Sequence, residues 1–456
     1  MRITKIPILP RTRFKFLILA FTLWLGGTVT AEDEHLETAP TEAAATSHGG
    51  DHAHGKHHRP TLVAALPFVG ILLCIAILPL FHKTEHWWEK NLNKLLISAV
   101  LGATVIIYYF TRGSGFSHEG HLTEPGVDTV KAILAHAVLF EYIPFIVLLF
   151  SLYTISGGIQ LRGDLEATPA TNATFLGVGA LLASFVGTTG ASMLLIHPLL
   201  QTNRERKHKR HTVIFFIFLV SNIGGCLLPI GDPPLFLGYL RGVPFLWTLG
   251  LWKPWLFCVV LLLIIYIIWD TKLYKQESPR ALREDATKIE PLRVKGLLNF
   301  VWLFGVVLSV ALIVPGKPFL GKYFMVPNFL RELAQLGFVG LAWLTTPAQT
   351  REENQFNFYA ILEVAVLFIG IFITMQAPIE ILKASGKELH QVVSGPGAPM
   401  AFFWMTGSLS SFLDNAPTYV VFFEMARSMT QGTVGTIPVT GGHINEVWLV
   451  AISLGA

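Results

Sequence analysis

Ten stretches of this chain are apolar over close to the length a bilayer requires, at about 61–81, 95–110, 131–156, 172–200, 212–240, 249–269, 297–314, 332–347, 358–376 and 398–425, and a shorter eleventh run lies at 446–456. A helix of roughly 20 apolar residues crosses the hydrocarbon, and only structures that satisfy their own backbone hydrogen bonds persist there. The pattern predicts an all-α polytopic membrane protein. Charge agrees, since 34 Lys and Arg and 30 Asp and Glu make only 14% of 456 residues, against about 25% in an ordinary soluble protein. A soluble chain of this length would lack the side chains to cover its surface. The net charge of +4 is small and the basic residues are scattered through short loops, which excludes a nucleic-acid binder. Cys74, Cys226 and Cys258 each stand alone in an apolar run, so neither a disulfide framework nor a zinc knuckle is expected.

Residues 1–31 read as a signal peptide. Arg2, Lys5, Arg11, Arg13 and Lys15 precede the apolar stretch Phe16–Leu25, and small residues at Val29 and Ala31 suit signal peptidase. An uncleaved first anchor is the alternative, and either way the following segment faces outside. That segment, 32–60, is acidic and then rich in histidine, with His52, His54, His57 and His58 among its side chains. Its composition cannot bury enough apolar area to fold. Weak metal capture by these imidazoles is one reading; a solvated periplasmic tail is the plainer one.

The distribution of Lys and Arg sets the topology, because cytoplasmic loops carry the excess. Residues 82–94 and 270–296 are basic and lie inside; 111–129, 241–248 and 315–331 lie outside. The basic loop Arg204–Arg210 stays inside only if 172–200 enters and leaves on the same face. That run is long enough for two half-helices, and Gly187-Thr188-Thr189-Gly190 weakens its middle. A re-entrant hairpin follows. Run 398–425, broken at Ser411-Phe412-Leu413-Asp414-Asn415-Ala416-Pro417, reads as a second hairpin opening outside. The halves are then 61–269 and 297–456, joined by the cytoplasmic loop 270–296.

The halves also repeat with inverted direction. Glu141 and Glu363 each open an aromatic-rich apolar span, and a broken hairpin centre follows about fifty residues later in both. Inverted repeats with discontinuous helices meeting at the midplane are the architecture of secondary transporters. The first half contains a further break, Ser221–Pro234, whose two adjacent glycines and three prolines preclude an ordinary helix interior. Its counterpart is expected after Glu446, where the sequence ends at Ala456 in a run too short to cross; a fragment or an early stop is the expectation.

Carboxylates at membrane depth are costly unless a cavity or partner receives them. Asp232 and Asp414 both lie in broken segments, beside carbonyl, hydroxyl and amide oxygens that can replace the water around a small cation. Helix capping is the competing role for each. Thr188, Thr189 and Ser192 suit a hairpin tip lining a substrate, or a close helix crossing through small residues. Glu141 and Glu363 are candidates for a proton relay, or interfacial residues at helix ends. His136 and His197 read as satisfied interior histidines, and 204–211 as a topology anchor.

The stretch Asn222-Ile223-Gly224-Gly225, followed by Ile230-Gly231-Asp232-Pro233-Pro234, resembles the signature of the ion transporter superfamily. That group includes NhaD-type sodium/proton antiporters, arsenite pumps and citrate or dicarboxylate carriers. Ser411–Pro417 resembles its second-half hairpin motif. The resemblance covers about residues 60–456 and implies cation sites at the hairpin tips and unwound helices, here Thr188, Thr189, Asn222, Gly224, Gly225, Asp232, Asp414, Asn415 and Thr418. Gly-Thr-Thr-Gly replaces the Ser-Asn-Thr of several relatives, and Cys226 stands where a small or hydroxyl residue is common.

The resulting expectation is a secondary transporter of the bacterial inner membrane, not an enzyme. It exchanges sodium or lithium for protons and has no cofactor beyond these transported ions. Its partners are membrane lipid and a small cation, with no nucleic acid and with homodimerisation left open. Sodium-coupled citrate or dicarboxylate carriage and arsenite-type anion efflux are the alternatives within the superfamily. A membrane metal-handling protein using the His-rich tail is a further one, with no HExxH motif in the spans to support it.

Overall fold

The backbone of the computed structural model is described for residues 60–118, 121–287, 289–318 and 325–456. Residues 1–31, read above as a signal peptide, and residues 32–59 with His52, His54, His57 and His58 lie outside them. Seven helical stretches among the described residues are long and apolar enough to cross a membrane, and the chain is an all-α polytopic membrane protein.

Helices α1 (Leu66–Ile77) and α2 (Asn91–Thr111) form an antiparallel pair. The third span, α3, runs from Val127 to Ser156, with a π-helical stretch at Ala135–Tyr142 inside it. Strand β1 (Gln160–Asp164) leads to α4 (Pro169–Val186) and α5 (Thr188–Thr202). Next come α6 (Arg210–Phe216), which continues as a π turn at Ile217–Asn222 and a 3-10 turn at Ile223–Leu227, then α7 (Pro233–Leu240) and α8 (Trp252–Tyr274). Beyond α9 (Pro279–Thr287) and β2 (Glu290–Lys295), the second half contains α10 (Leu298–Leu312), α11 (Leu330–Thr345), α12 (Tyr359–Thr374) and α13 (Gln376–Val392). It closes with α14 (Ala398–Ser410), α15 (Asn415–Met429), the hairpin β3 (Thr436–Val439) and β4 (Gly442–Asn445), and α16 (Glu446–Gly455).

Both broken runs are hairpins. α4 and α5 pack along each other and meet at Gly187, whose φ of +80° is open to glycine and strained for other residues. The hairpin base joins the rest of one face: Arg206 pairs with Asp270 at 2.5 and 3.0 Å, and β1 runs antiparallel to β2. Arg351 donates to the Thr154 carbonyl at 2.7 Å on the same face. The second hairpin, α14 and α15, ends on the opposite face. There Thr440 N donates to the Arg241 carbonyl at 2.9 Å and Trp247 Nε1 donates to Glu446 at 3.2 Å. The two hairpins therefore open in opposite directions. Their bounds, 169–202 and 398–429, exceed the apolar runs because both bases are polar.

Packing shows the same exchange between halves. α2 packs mainly on α12 of the second half, and α10 and α11 pack on α3 of the first. Around this frame sit the broken elements, with α4 against α6 and α8, α7 against α15, and α15 against α13 and α14. The span Phe245–Tyr274 is apolar all round and little buried, as a lipid-facing helix is.

The break between α6 and α7 is held by backbone contact. Thr188 N donates to the Gly231 carbonyl at 3.0 Å, and Ser184 Oγ donates to the Gly224 carbonyl at 2.5 Å while accepting from Leu227 N at 3.2 Å. Gly225 lies so close to this turn that a Cβ there would stand 2.6 Å from the Gly231 carbonyl oxygen. Gly337 in α11 has open space instead. Gly225→Ala is accordingly expected to cost about 1–3 kcal/mol through overpacking, whereas Gly337→Ala is expected to be neutral or slightly stabilising. Thermal unfolding of the two variants in detergent checks the contrast.

Candidate functional site

The tip of the first hairpin and the break in the α6–α7 span enclose one cavity of about 80 Å³. Thr188, Thr189 and Gly190 line it from α5, Gly231 and Pro233 from the break, and Tyr153 and Ile361 from α3 and α12. Its lining contains no Lys or Arg among the described residues. Ser192, one turn along α5, shares a 2.8 Å hydrogen bond with Ser221.

Asp232 and Asp414 stand at the starts of α7 and α15, and neither is among the residues that line the cavity. Each occupies the N-cap position of its helix, but only Asp414 caps. Its Oδ1 accepts from Ala416 N at 3.2 Å, while its backbone carbonyl accepts from Thr418 Oγ1 at 2.9 Å. Asp232 makes no side-chain cap bond to α7. The first two residues of that helix are Pro233 and Pro234, and proline has no N–H to offer. The capping role is thus realised at Asp414, while the Asp232 side chain makes no cap bond.

The N-termini of α5 and α7 border the cavity and α15 packs on α7, yet little of the anion-binding capacity of these helix starts is free. The first N–H of α5 is taken by Gly231, α7 starts with two prolines, and Asp414 caps α15. What remains are carbonyl oxygens, hydroxyls and carboxylates, the donor set of a small cation. No group of three or more His, Cys, Asp or Glu suited to a resident metal occurs among the described residues.

The other expected site residues divide. Gly225 belongs to the break, where an added Cβ would stand 2.9 Å from the Thr188 methyl, whereas one at Gly224 would meet Ala180 and Ala183 of α4. Asn222 is exposed at the end of the π turn and Asn415 is half-buried at the start of α15. Neither glutamate reaches the cavity. Glu363 pairs with Lys94 of α2 at 2.5 Å. Glu141 is 6% exposed within the π stretch of α3, where it pairs with Arg241 and accepts from Gln376 Nε2 at 3.1 Å. The interfacial reading of Glu141 is corrected: it is a buried partner in an ion-pair chain.

That chain continues from Arg241 to Glu424 at 3.3 Å and from Glu424 to Arg427 at 2.7 Å. It ties α3, the end of α7 and α15 together. Arg241 is the residue that sequence reasoning passed over. Its one local signal was a lone Arg directly after the broken segment.

The basic loop is also more than an anchor. The Arg206–Asp270 pair is joined by His211 Nε2 at 2.7 Å from Asp270. Lys207 N and His208 N donate to Glu277 at 3.1 and 2.8 Å. Burial opposes the charge of Glu277, but these backbone donors and the His208 ring hold its carboxyl below the ordinary glutamate range.

The family model described as "Putative citrate transport" matches residues 57–456. The chain belongs to that citrate transport family. No curated protein matched the sequence. Membership makes the chain a multi-pass secondary transporter, and it gives the paired broken helices a transport setting. Within it, the Arg241 chain lies away from the tip cavity and holds broken helices to their frame. Arg241→Met leaves Glu141 buried with Gln376 as its remaining partner, an expected loss of roughly 3–5 kcal/mol. Adding Glu141→Gln should recover more than half of it, as read by thermal unfolding in detergent.

Proposed function

We propose that this member of the citrate transport family exchanges sodium or lithium for protons across the bacterial inner membrane. The observation that carries the proposal is the chemistry at the breaks. Hydroxyls and backbone groups line the cavity without a Lys or Arg, Asp232 sits between the lining residues Gly231 and Pro233, Asp414 starts α15, which packs on α7, and the helix N-termini of α5, α7 and α15 are largely occupied. Such a site favours a cation, and a carboxylate that loses the cation can take a proton in its place. Asp232 then alternates between cation and proton, Asp414 orders the tip of α15 and adds charge, and Thr188 and Thr189 supply neutral oxygens. Asn222, Asn415, Thr418 and the carbonyls of Gly224 and Gly225 complete the proposed set of binding residues.

The face bearing Arg204–Arg210 and 270–296 is assigned to the cytoplasm on the positive-inside rule. The 61–269 and 297–456 halves are then opposed across the bilayer. Lipid and the transported ions are the partners this reading requires.

Sodium-coupled carriage of citrate or a dicarboxylate is the second reading, and the family description favours it. It requires the free N–H groups of α5 and α15 to receive the substrate carboxylates, a weaker set than three open helix ends would provide.

Proteoliposomes with a preformed pH gradient separate the two. Sodium addition is expected to dissipate the gradient in the wild type, with Asp232→Asn abolishing the response and Asp414→Asn reducing it severely. An unaffected Asp232→Asn variant would sink the site assignment. Accumulation of labelled citrate on a sodium gradient, with no effect of sodium on the pH gradient, would move the assignment to the carboxylate carrier.

A further inference from the structure

A cavity of about 710 Å³ opens on the face opposite Arg204–Arg210, where Thr440 N meets the Arg241 carbonyl. The end of α7 and strand β3 line it from one side, and α3, α10 and the start of α11 from the other. Its walls are mostly apolar, with Phe140 from α3, Leu240, Val243 and Phe245 around the end of α7, and Phe329 before α11. Phe140 and Phe329 stack there at 6.2 Å.

Its charge balance is positive. Lys317, Arg331 and Glu332 are the charged residues of the lining. Arg331 donates from Nε and Nη2 to Glu332 Oε1 at 2.8 and 2.5 Å, so this pair adds no net charge. Lys317 is exposed and makes no ion pair among the described residues. Topology does not account for it either. Residues 315–331 lie outside on the positive-inside reading, yet they hold Lys317, Lys322 and Arg331 and no Asp or Glu, whereas outer loops are ordinarily poor in basic residues. The other outer loops keep to the rule. In 111–129 Arg112 is outnumbered by Glu119, Glu124 and Asp128, and Arg241 is spent on Glu141 and Glu424.

We propose that this cavity binds a long-chain carboxylate, its chain along the aromatic and aliphatic walls and its head on Lys317. The volume is that of a small-molecule site, about 300–1,000 Å³. An apolar wall with one unpaired cation suits an apolar body with one negative charge. Citrate fits poorly, because its further carboxylates would enter an apolar cavity without a free cation. The proposal goes beyond the exchange at the hairpin tip and does not depend on the ion bound there.

The measurement is photolabelling of the purified full chain in phosphatidylcholine nanodiscs with a diazirine-bearing palmitate, mapped by peptide sequencing. Label is expected on the peptides carrying Phe140, Leu240–Phe245 and Pro438–Thr440, and excess palmitate should displace it. Lys317→Gln should weaken this capture about tenfold, and Ala311→Trp, which fills the cavity from α10 and keeps the lysine, should abolish it. A diazirine-bearing hexadecanol on the wild type tests the charge without any substitution, and it should label the cavity far less than the palmitate does. Label confined to lipid-facing helices such as α8 overturns the proposal. So does cavity labelling that is the same for the alcohol or that survives Lys317→Gln. Displacement by phosphatidylglycerol but not by palmitate overturns it in favour of a lipid headgroup.

Discussion

Every unusual feature of this fold follows from the need to satisfy backbone polar groups that no water can reach. A helix interrupted at membrane depth exposes carbonyls and N–H groups that lipid cannot pair. Here the interruption at Ile223–Asp232 is met by a neighbour interrupted at the same level, with Thr188 N on the Gly231 carbonyl and Ser184 bridging Gly224 and Leu227. Such pairing demands close approach, which is why Gly225 and Gly231 lie backbone against backbone. It also demands shielding, and unbroken spans such as α8 supply it by facing the lipid.

Charge is distributed in keeping with the same constraint. Most buried ions are committed: Glu141 to Arg241, Asp270 to Arg206 and His211, Lys94 to Glu363. A committed pair holds two elements together and has no reason to exchange its partner for a solute. Asp232 differs, being placed at a helix start without capping it. The proposed exchange is placed where the structure leaves a carboxylate unspent.

Much of the architecture could be read from the residues in order, because hairpins and topology depend on local properties. The flexible Gly187-Thr188-Thr189-Gly190 centre and the basic loop Arg204–Arg210 required 172–200 to turn back, and α4 and α5 do so. The breaks at Asp232 and Asp414 were legible for the same reason. What could not be read depends on partners distant in sequence. Arg241 meets Glu141 and Glu424 across 100 and 183 residues, and neither pairing has a local pattern. The pairing of β1 with β2 joins segments more than a hundred residues apart, and the five residues of β1 have no strong strand alternation. The π stretch that carries Glu141 inward has no compositional mark, so a glutamate near the start of an apolar run looked interfacial.

The β1–β2 ribbon has a mechanical consequence. β1 is the connector from α3 to the first hairpin, and β2 leads from the α8–α9 segment, whose α8 packs on α4 of that hairpin, to α10, so each strand joins the frame to the hairpin group. Two independent tethers would let the hairpin group slide, tilt and twist separately. Zipped together and pinned through Glu353 to both Arg162 and Lys295, they act as a single leaf spring. A displacement of one group against the other would have to flex both strands at once.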